Sequence, residues 1–579
     1  MLHAEHRWRE RSATSDAVAE LEHELALSPL LARLLVIRGL CDPDRAQAFI
    51  DKRLRDLHPP ELLAGMDAAS HRLARAITGR ERILIHGDFD VDGSTATALL
   101  VLFCRACGHD AIPWIPHRQD DGYGLGPGSL KAVVDQRADL MVTVDCGIID
   151  NGWAARIEAE TGCEVIITDH HLPAGPLPHC RAVVNPNRPD CTYPDKGLAG
   201  VALAWKLAWA TGKVLCGSER LSDRLRDFLL ESLALVAVGT VADCAPLDRE
   251  NRVLVHHGLR ALERSANPGL RALCDGAKVK DQICANDIGW RLGPLLNASG
   301  RLGSALDNVA LLTCEDLDSA RTLVAGLVRQ NEERRRLTEI LTADLIEEIT
   351  TNPAYDSRRA LVFAGDGWHP GVVGIVANRL AERFAKPSAI IAIDGDTGKG
   401  SLRTAANVHL GHAIDACRDH LIAGGGHAKA AGISIRPDQV DAFSRAFERY
   451  VHERDPSADA GPGIEHDGSA RIEELDGGFI AALASLEPYG IGNPAPVLRL
   501  DGVHFVSRPE LFGRQGNHLR GALSDHHGGM RSFLAWRGQR HFEHFCLPRQ
   551  RFDMLVRPEL DHWRGETRMR LVFVDGKSR

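Results

Sequence analysis

Between residues 82 and 169 short apolar runs alternate with helical ones, and three of the apolar runs stop at acidic residues. RILIH (82–86) leads into GDFDVDG. LMVTVD (140–145) ends at Asp145, and EVIITD (164–169) ends at Asp169, followed by His170 and His171. AIPWI (111–115) reads as a further strand. Helical patterns at 94–107, in SLKAVVDQR and at 153–161 separate these runs. Strands alternating with helices predict an α/β fold on a parallel, doubly wound sheet. In such sheets ligands bind outside the carboxyl ends of the strands. A longer helical pattern, LRDFLLESLALVAVGTVAD, ends at Asp243. Separate element ends thereby deliver Asp or His toward what the pattern predicts to be one crevice.

HGDFDVDG (86–93) places His86, Asp88, Asp90 and Asp92 in eight positions. So much negative charge is unfavourable unless a cation sits among it. Carboxylate and imidazole without paired cysteines suit Mn²⁺ or Mg²⁺ better than a structural zinc. DFDVDG matches the first half of a calcium loop. The twelfth position of that loop requires a bidentate glutamate, and here it is Leu99 inside an apolar helix. A lone Asp at a strand end serves equally well as a helix cap. The specificity lies in the ordered set: HxxxDxD, VD(C)G, TDHH and GTVAD, each after an apolar run.

At 579 residues the chain predicts three or four domains. No apolar run reaches the roughly 18 residues that span a bilayer. The polar start, MLHAEHRWRERSATSD, is no signal peptide, so the expected location is the cytoplasm. The 14 cysteines are scattered; the one CxxC, Cys104 and Cys107, lies in an apolar helix and reads as packing. DTGKGS lacks P-loop spacing, so no nucleotide requirement follows. The net charge of −9 is uneven. From Asp501 to Arg579 there are 14 Lys+Arg against 9 Asp+Glu, or +5, which leaves −14 elsewhere. A basic tail on an acidic body predicts polyanion contact at that end.

The predicted organisation is a helical segment (1–65), an α/β domain (66–315), a long charged helix (316–352), a second α/β unit (353–455) and, after a Pro/Gly-rich linker, a small β-barrel (463–579). The barrel is read from short strands with turns, from VLRLDGVHFV to RMRLVFVDG. Aromatics are interleaved with Arg along it. Most would fill the barrel core, and a minority exposed beside Arg would stack bases.

The ordered carboxylate set resembles the DHH phosphoesterases, which include family II pyrophosphatases and the RecJ nucleases. GWHPGVVGIVANRL (367–380), GGGHAKAAG (424–432), NASGRLG (297–303) and PYGIGNPAPV (488–497) extend the likeness from about residue 60 onward and narrow it to the RecJ branch. The resemblance implies two doubly wound α/β units (DHH and DHH-associated) flanking a cleft, joined by a long helix, plus a C-terminal OB-type barrel. It implies a single-strand-specific DNA exonuclease acting 5′ to 3′ by two-metal hydrolysis, releasing mononucleotides in repair and recombination. A phosphodiesterase for short oligonucleotides or cyclic dinucleotides, and a non-enzymatic replication scaffold, share the fold. The barrel argues against the first. The occupied ligand positions argue against the second.

On this sequence the resemblance makes Asp90, Asp92, Asp145, His170 and Asp243 ligands of two Mn²⁺ or Mg²⁺ ions, with Asp145 bridging. Either Asp88 or His86 completes the first ion's shell. His171 would face the substrate phosphate, and Asp169 would orient the histidines. Arg301, Arg403, Gly425, Gly426 and His427 would contact substrate. The family pattern GSGRS appears as GSLRT (400–404), with Leu402 in place of a glycine, and Cys146 stands where many relatives have Asn. Single-stranded DNA is the expected partner, with single-strand-binding protein and a helicase as further ones.

Overall fold

The computed structural model describes residues 7–118, 121–279, 282–454, 463–513, 515–547, 550–563 and 566–579, apart from the side chains of 561–567. It divides into two units. The first takes in the N-terminal segment up to Pro294, Ala305–Arg321 and the C-terminal segment; the second takes in Leu295–Ser304 and the stretch from Thr322 to the linker.

The first unit carries a five-stranded parallel sheet of β1 (Ile83–Gly87), β2 (Ile112–Trp114), β3 (Leu140–Val144), β4 (Glu164–Thr168) and β5 (Ala182–Val184). The order is β2-β1-β3-β4-β5, so the chain reverses its winding between β1 and β3. Open sheets of this kind bind ligands at that reversal. Every residue of β1 and β3 is buried, which is why these strands read as continuous apolar runs rather than alternating ones. Helix α1 (Val91–Ala106) packs against α2 (Gly200–Cys216) and α3 (Asp223–Ala242). The three-residue β5 carries too little pattern to stand out in the sequence.

The long helix α4 spans Leu317–Thr351. The second unit is α/β, as expected, but its sheet is mixed rather than doubly wound. It comprises β6 (Leu361–Asp366), β7 (Ser388–Asp394), β8 (Thr397–Arg403), β9 (Ala423–Gly426) and β10 (Ala430–Ile435), in the order β9-β10-β8-β7-β6. Only β6 and β7 are parallel, joined through α5 (Pro370–Phe384). From β7 onward the pairings are antiparallel; between β7 and β8 a tight turn at Asp394–Thr397 leaves no length for a crossover helix.

The C-terminal strands are β11 (Leu498–Phe505), β12 (Glu510–Phe512), β13 (His518–Ser524), β14 (Met530–Ala535), β15 (Phe552–Trp563) and β16 (Glu566–Ser578). Their order is β11-β15-β16-β14-β13-β12, and β11 also pairs with β13, which closes five strands into a barrel. The N-terminal segment, expected as a separate helical piece, shares the barrel's core. Leu21, Leu31, Leu34 and Leu35 from its helices join Phe479, Leu483, Phe533, Phe545 and Phe552 in one apolar cluster. Trp8–Glu10 also pairs in parallel with Ile464–His466. A segment of a few short helices is too small to close a core alone, so it shares one. Part of the predicted linker, 455–462, lies outside the described residues.

Candidate metal centre

The loop after β1 turns back on itself so that Asp90 caps α1, its Oδ1 accepting the Gly93 N–H at 3.0 Å. Asp92 lies inside the first turn and is fully buried. Its two oxygens accept the N–H groups of Gly200 (2.7 Å) and Val201 (2.9 Å), at the start of α2. A buried carboxylate is tolerable there because the helix N-terminus carries positive partial charge. Asp145 follows β3 with φ of +63°, a left-handed conformation that Asp accepts more readily than most residues. Its N–H reaches Thr168 O at 3.0 Å. Asp169 follows β4, and Asp243 ends α3.

Three groups of donors result, each with ligand atoms within 4.8 Å of one another: Asp88, Asp90 and Asp145; Asp92, His170 and Asp243; Asp145, His170 and His171. Asp145 belongs to two of them. His170 Nε2 stands 3.0 Å from Asp145 Oδ1 and 3.9 Å from both Asp92 Oδ2 and Asp243 Oδ2. Asp88 Oδ1, Asp145 Oδ1 and His170 Nε2 are buried without a hydrogen bond. Such orphans are rare among buried polar atoms. Oxygen and imidazole donors left bare around common points fit a pair of divalent ions such as Mn²⁺ or Mg²⁺.

The electrostatics agree. Burial, reinforced by neighbouring aspartates, pushes Asp88, Asp92 and Asp145 well above the usual carboxylate range, and Asp243 to about 7. Burial also lowers His170 to about 4, leaving its imidazole neutral as a ligand must be. His171 behaves oppositely. Burial would lower it, but its bond from Nδ1 to Asp169 Oδ1 (2.7 Å) lifts it to about 9. Asp169 also accepts the N–H groups of Ile148 and His171. These bonds overcome burial and hold its carboxyl below the usual range.

Of the two candidates for completing the first ion's shell, Asp88 joins a donor group and His86 does not. The His86 ring is fully buried, with Nε2 2.9 Å from Ser129 Oγ and Nδ1 3.5 Å from Cys146 Sγ. Both nitrogens are thus spent on the protein. In the second unit, Arg403 is the last residue of β8, opposite Ala430 of β10 and Ser388 of β7. GGGHAKAAG forms the β9–β10 hairpin, whose turn holds exposed His427; the His427 N–H bonds the carbonyl of Ala430, the residue opposite Arg403. A side chain at Gly426 would strike Ala430 O at 2.4 Å, whereas Gly425 faces open space. Leu402 points into the core of this sheet, fully buried. Arg301 Nη1 donates to Gly371 O at 3.1 Å.

Three family models match parts of the chain. Residues 82–240 match the DHH family N-terminal domain, 357–453 the DHHA1 domain and 466–575 the RecJ OB domain. The single-stranded-DNA-specific exonuclease RecJ of Salmonella typhimurium is 36% identical over 90% of this chain and 90% of its own. The chain belongs to the RecJ family. RecJ of Escherichia coli is also 36% identical, over 90% of both chains. The crystal structure of Thermus thermophilus RecJ in complex with Mn²⁺ superposes with a TM-score of 0.80 at 32% identity, covering 99% of this chain and 79% of that one.

For a RecJ-family chain the sequence reading missed the scaffold behind the ligands. A Cβ at Gly200 would lie 2.7 Å from Asp145 Cβ, and one at Gly239 would lie 2.8 Å from Asp92 Oδ1. A Cβ at Gly93 would meet the Asp88 backbone at 2.5 Å. Asn185 and Asn187 hold the His171 and His170 carbonyls at 2.9 and 2.6 Å. Tyr123 OH sits 3.2 Å from His171 Nδ1. The signal available was a small or amide residue inside an apolar run, and only its three-dimensional neighbour gives that meaning.

Proposed function

We propose that this chain degrades single-stranded DNA from its 5′ end by metal-dependent hydrolysis of phosphodiester bonds. The observation that carries the proposal is the sharing of Asp145 between donor groups, in a chain whose relatives are single-strand-specific exonucleases. Asp88, Asp90 and Asp145 would hold one ion, and Asp92, Asp145, His170 and Asp243 the other. Two such ions lower the pKa of a bound water and stabilise the attacking and leaving oxygens of the displacement. The chain's own part is orientation. The α2 N-terminus fixes Asp92, and the Asp169 carboxylate fixes His171. No bond to His171 Nε2 is present among the described residues, which leaves it able to donate to a phosphate oxygen.

The barrel supplies the grip. Phe533, Phe545 and Phe552 are core, as the majority of its aromatics were expected to be, while the Trp563 side chain lies outside the described ones. Trp536 is 52% exposed and stands 5.0 Å from the His518 ring and 6.2 Å from Phe512. Arg520 lies over Phe512 at 5.9 Å, and exposed Arg537 follows Trp536. An aromatic platform edged by Arg stacks bases without reading sequence. Arg301, Arg403, His427 and the glycines Gly425 and Gly426 serve as phosphate contacts in this reading. Single-strand-binding protein and a helicase are the partners it implies, in the cytoplasm.

The test is digestion of long single strands labelled at one end or the other, with Mn²⁺ or chelator, beside a duplex and a dinucleotide. Mononucleotide release from the 5′ end of the single strand, only with metal, is the expected result. Turnover of the dinucleotide alone would favour the short-oligonucleotide reading instead.

A further inference from the structure

Among the aspartates of the metal centre, Asp243 is oriented differently from the rest. Asp92, Asp90 and Asp169 each accept backbone N–H groups. Asp145 and Asp88 are enclosed, 1% and 5% exposed. The Asp243 side chain is 23% exposed, and among the described residues no hydrogen bond reaches its carboxylate. Its position is therefore set by its backbone. That backbone leaves α3 abruptly, with φ of +61° at Cys244 and bonds from Cys244 N to Val241 O and Ala245 N to Thr240 O, both 3.2 Å. Pro246 and Leu247 come next, and Leu247 is buried.

What fixes Pro246 and Leu247 is the stretch PYGIGNPAPV, which the metal centre and the barrel platform leave without a role. Leu247 N donates to Ile491 O at 2.6 Å. Gly490 and Gly492 lie flat on this segment: a Cβ at Gly490 would strike Leu247 Cδ1 at 2.7 Å, and one at Gly492 would meet Pro246 Cβ at 3.1 Å. The turn is rigid. Gly490 and Asn493 exchange backbone bonds of 2.9 and 3.2 Å. Buried Asn493 donates from Nδ2 to Leu486 O and Pro488 O, each at 2.8 Å, while its Oδ1 accepts from Arg38 Nε at 2.8 Å. Arg252, buried, donates from Nη1 to the same two carbonyls. From the other side Asn251 Nδ2 bonds Pro246 O (3.1 Å) and Gly197 O (2.6 Å). Gly197 lies three residues before Gly200, whose N–H holds Asp92.

We propose that the turn Pro488–Asn493 is a positioning clamp for the metal centre, fixing Asp243 through the Pro246–Leu247 backbone and thereby tying the ligand set to the segment that leads into the barrel. The proposal rests on Asp243 being a metal ligand, as in the function proposed above. Gly490 and Asn493 act through Asp243 and touch neither substrate nor ion. The carbonyl of Ile491 does the holding while its side chain is 58% exposed, which explains why a hydrophobic residue can stand in the open there.

The test is Mn²⁺ titration by calorimetry, without DNA, on the full chain. Gly490→Ala pushes on Leu247 and is expected to weaken Mn²⁺ binding roughly 10- to 100-fold, the range for a residue that orients a metal ligand. In an Asp243→Ala background the same substitution should have no further effect on the remaining affinity, because the group it acts through is gone. A general loss of folding would lower affinity in both backgrounds. Should Gly490→Ala fail to fold, Arg38→Ala, which loosens Asn493 from the far side of the turn, is read in the same cycle. Unchanged Mn²⁺ affinity in the folded variant, or an equal drop in both backgrounds, overturns the clamp. A wild-type chain that binds Mn²⁺ and shows this cycle yet leaves single strands intact would overturn the nuclease reading and leave the clamp standing.

Discussion

His170 Nε2 and Asp145 Oδ1 face each other at 3.0 Å, both buried, and neither takes part in a hydrogen bond. The two atoms converge on shared space rather than on each other. Asp145 also stands with Asp88 and Asp90. Its carboxylate is therefore shared by two of the three donor groups, and Asp145→Ala should abolish hydrolysis while the protein stays folded. Turnover within about tenfold of the parent, some 1.4 kcal/mol in barrier, would remove Asp145 from that role. Circular dichroism checks the fold.

Asp88 and His86 separate cleanly by experiment. Asp88→Asn should lose one of two Mn²⁺ equivalents by calorimetry. His86→Phe should keep both, because its ring nitrogens meet Ser129 and Cys146. Leaving the buried Ser129 hydroxyl without that partner costs about 1–3 kcal/mol, read as a lower melting temperature. Loss of a metal equivalent in His86→Phe would restore His86 as a ligand.

What the sequence exposed and what it concealed follow from physical range. Asp88, Asp145, Asp169 and Asp243 were visible because apolar runs announce the element ends that carry them. The antiparallel half of the second sheet was hidden, because the hairpin at Asp394–Thr397 and a parallel crossover differ only in connection length. The choice between Asp88 and His86 was hidden as well. It depends on Ser129, 43 residues away in sequence and placed beside His86 only by folding. Gly200 and Gly239 were silent for the same reason: a missing side chain has meaning only once its neighbour, Asp145 or Asp92, is in place.

Metal and protons should compete for the centre. Burial raises Asp88, Asp92 and Asp145, and takes Asp243 to about 7 from an ordinary 3.8. A carboxyl raised in the folded state keeps its proton there, so stability falls as pH climbs from the unfolded value through the folded one. His171, raised from 6.5 to about 9, has the same sign over that higher window. His170 and His86, each lowered from 6.5 to about 4 by burial, oppose them, two groups against four carboxyls and His171. Chelated protein should thus melt at a lower temperature at about pH 8 than at about pH 5, and Mn²⁺ should flatten the profile. Binding should also release protons, read as a dependence of the heat on buffer ionisation enthalpy. Identical profiles with and without Mn²⁺ would contradict this.

Arg403, opposite Ala430 in the β8–β10 register, and His427, whose N–H bonds Ala430 O, should behave as phosphate contacts. Loss of one charge-assisted contact costs about 1.5–3 kcal/mol, or roughly ten- to a hundredfold in kcat/KM. Arg403→Ala and His427→Ala should each bind Mn²⁺ like the parent and require more DNA to saturate. Asp92→Ala should do the reverse, keeping DNA and losing metal. Abolished Mn²⁺ binding in Arg403→Ala, or an unaltered kcat/KM, would place Arg403 elsewhere in the chemistry.

The barrel platform makes a prediction with two independent readouts. Trp536 is half exposed on a barrel whose other aromatics are mostly core, and no packing need explains it. Stacking one base is worth about 1–3 kcal/mol, so Trp536→Ala should weaken binding of a long single strand by roughly 5- to 150-fold. The salt dependence of binding should stay unchanged, because no phosphate contact is lost. Arg520→Ala and Arg537→Ala should instead lower the slope of log affinity against log salt by about 0.7 for each phosphate released. Arg520 also pairs with Glu510 at 2.9 Å, an exposed contact of little stabilising value, so its removal should leave the fold intact. Hydrolysis of a strand too short to span platform and metal centre should be indifferent to all three changes. If Trp536→Ala slows the shortest substrate as much as the longest, the platform is part of the catalytic centre rather than a grip on the strand, and the division of labour proposed for the barrel fails.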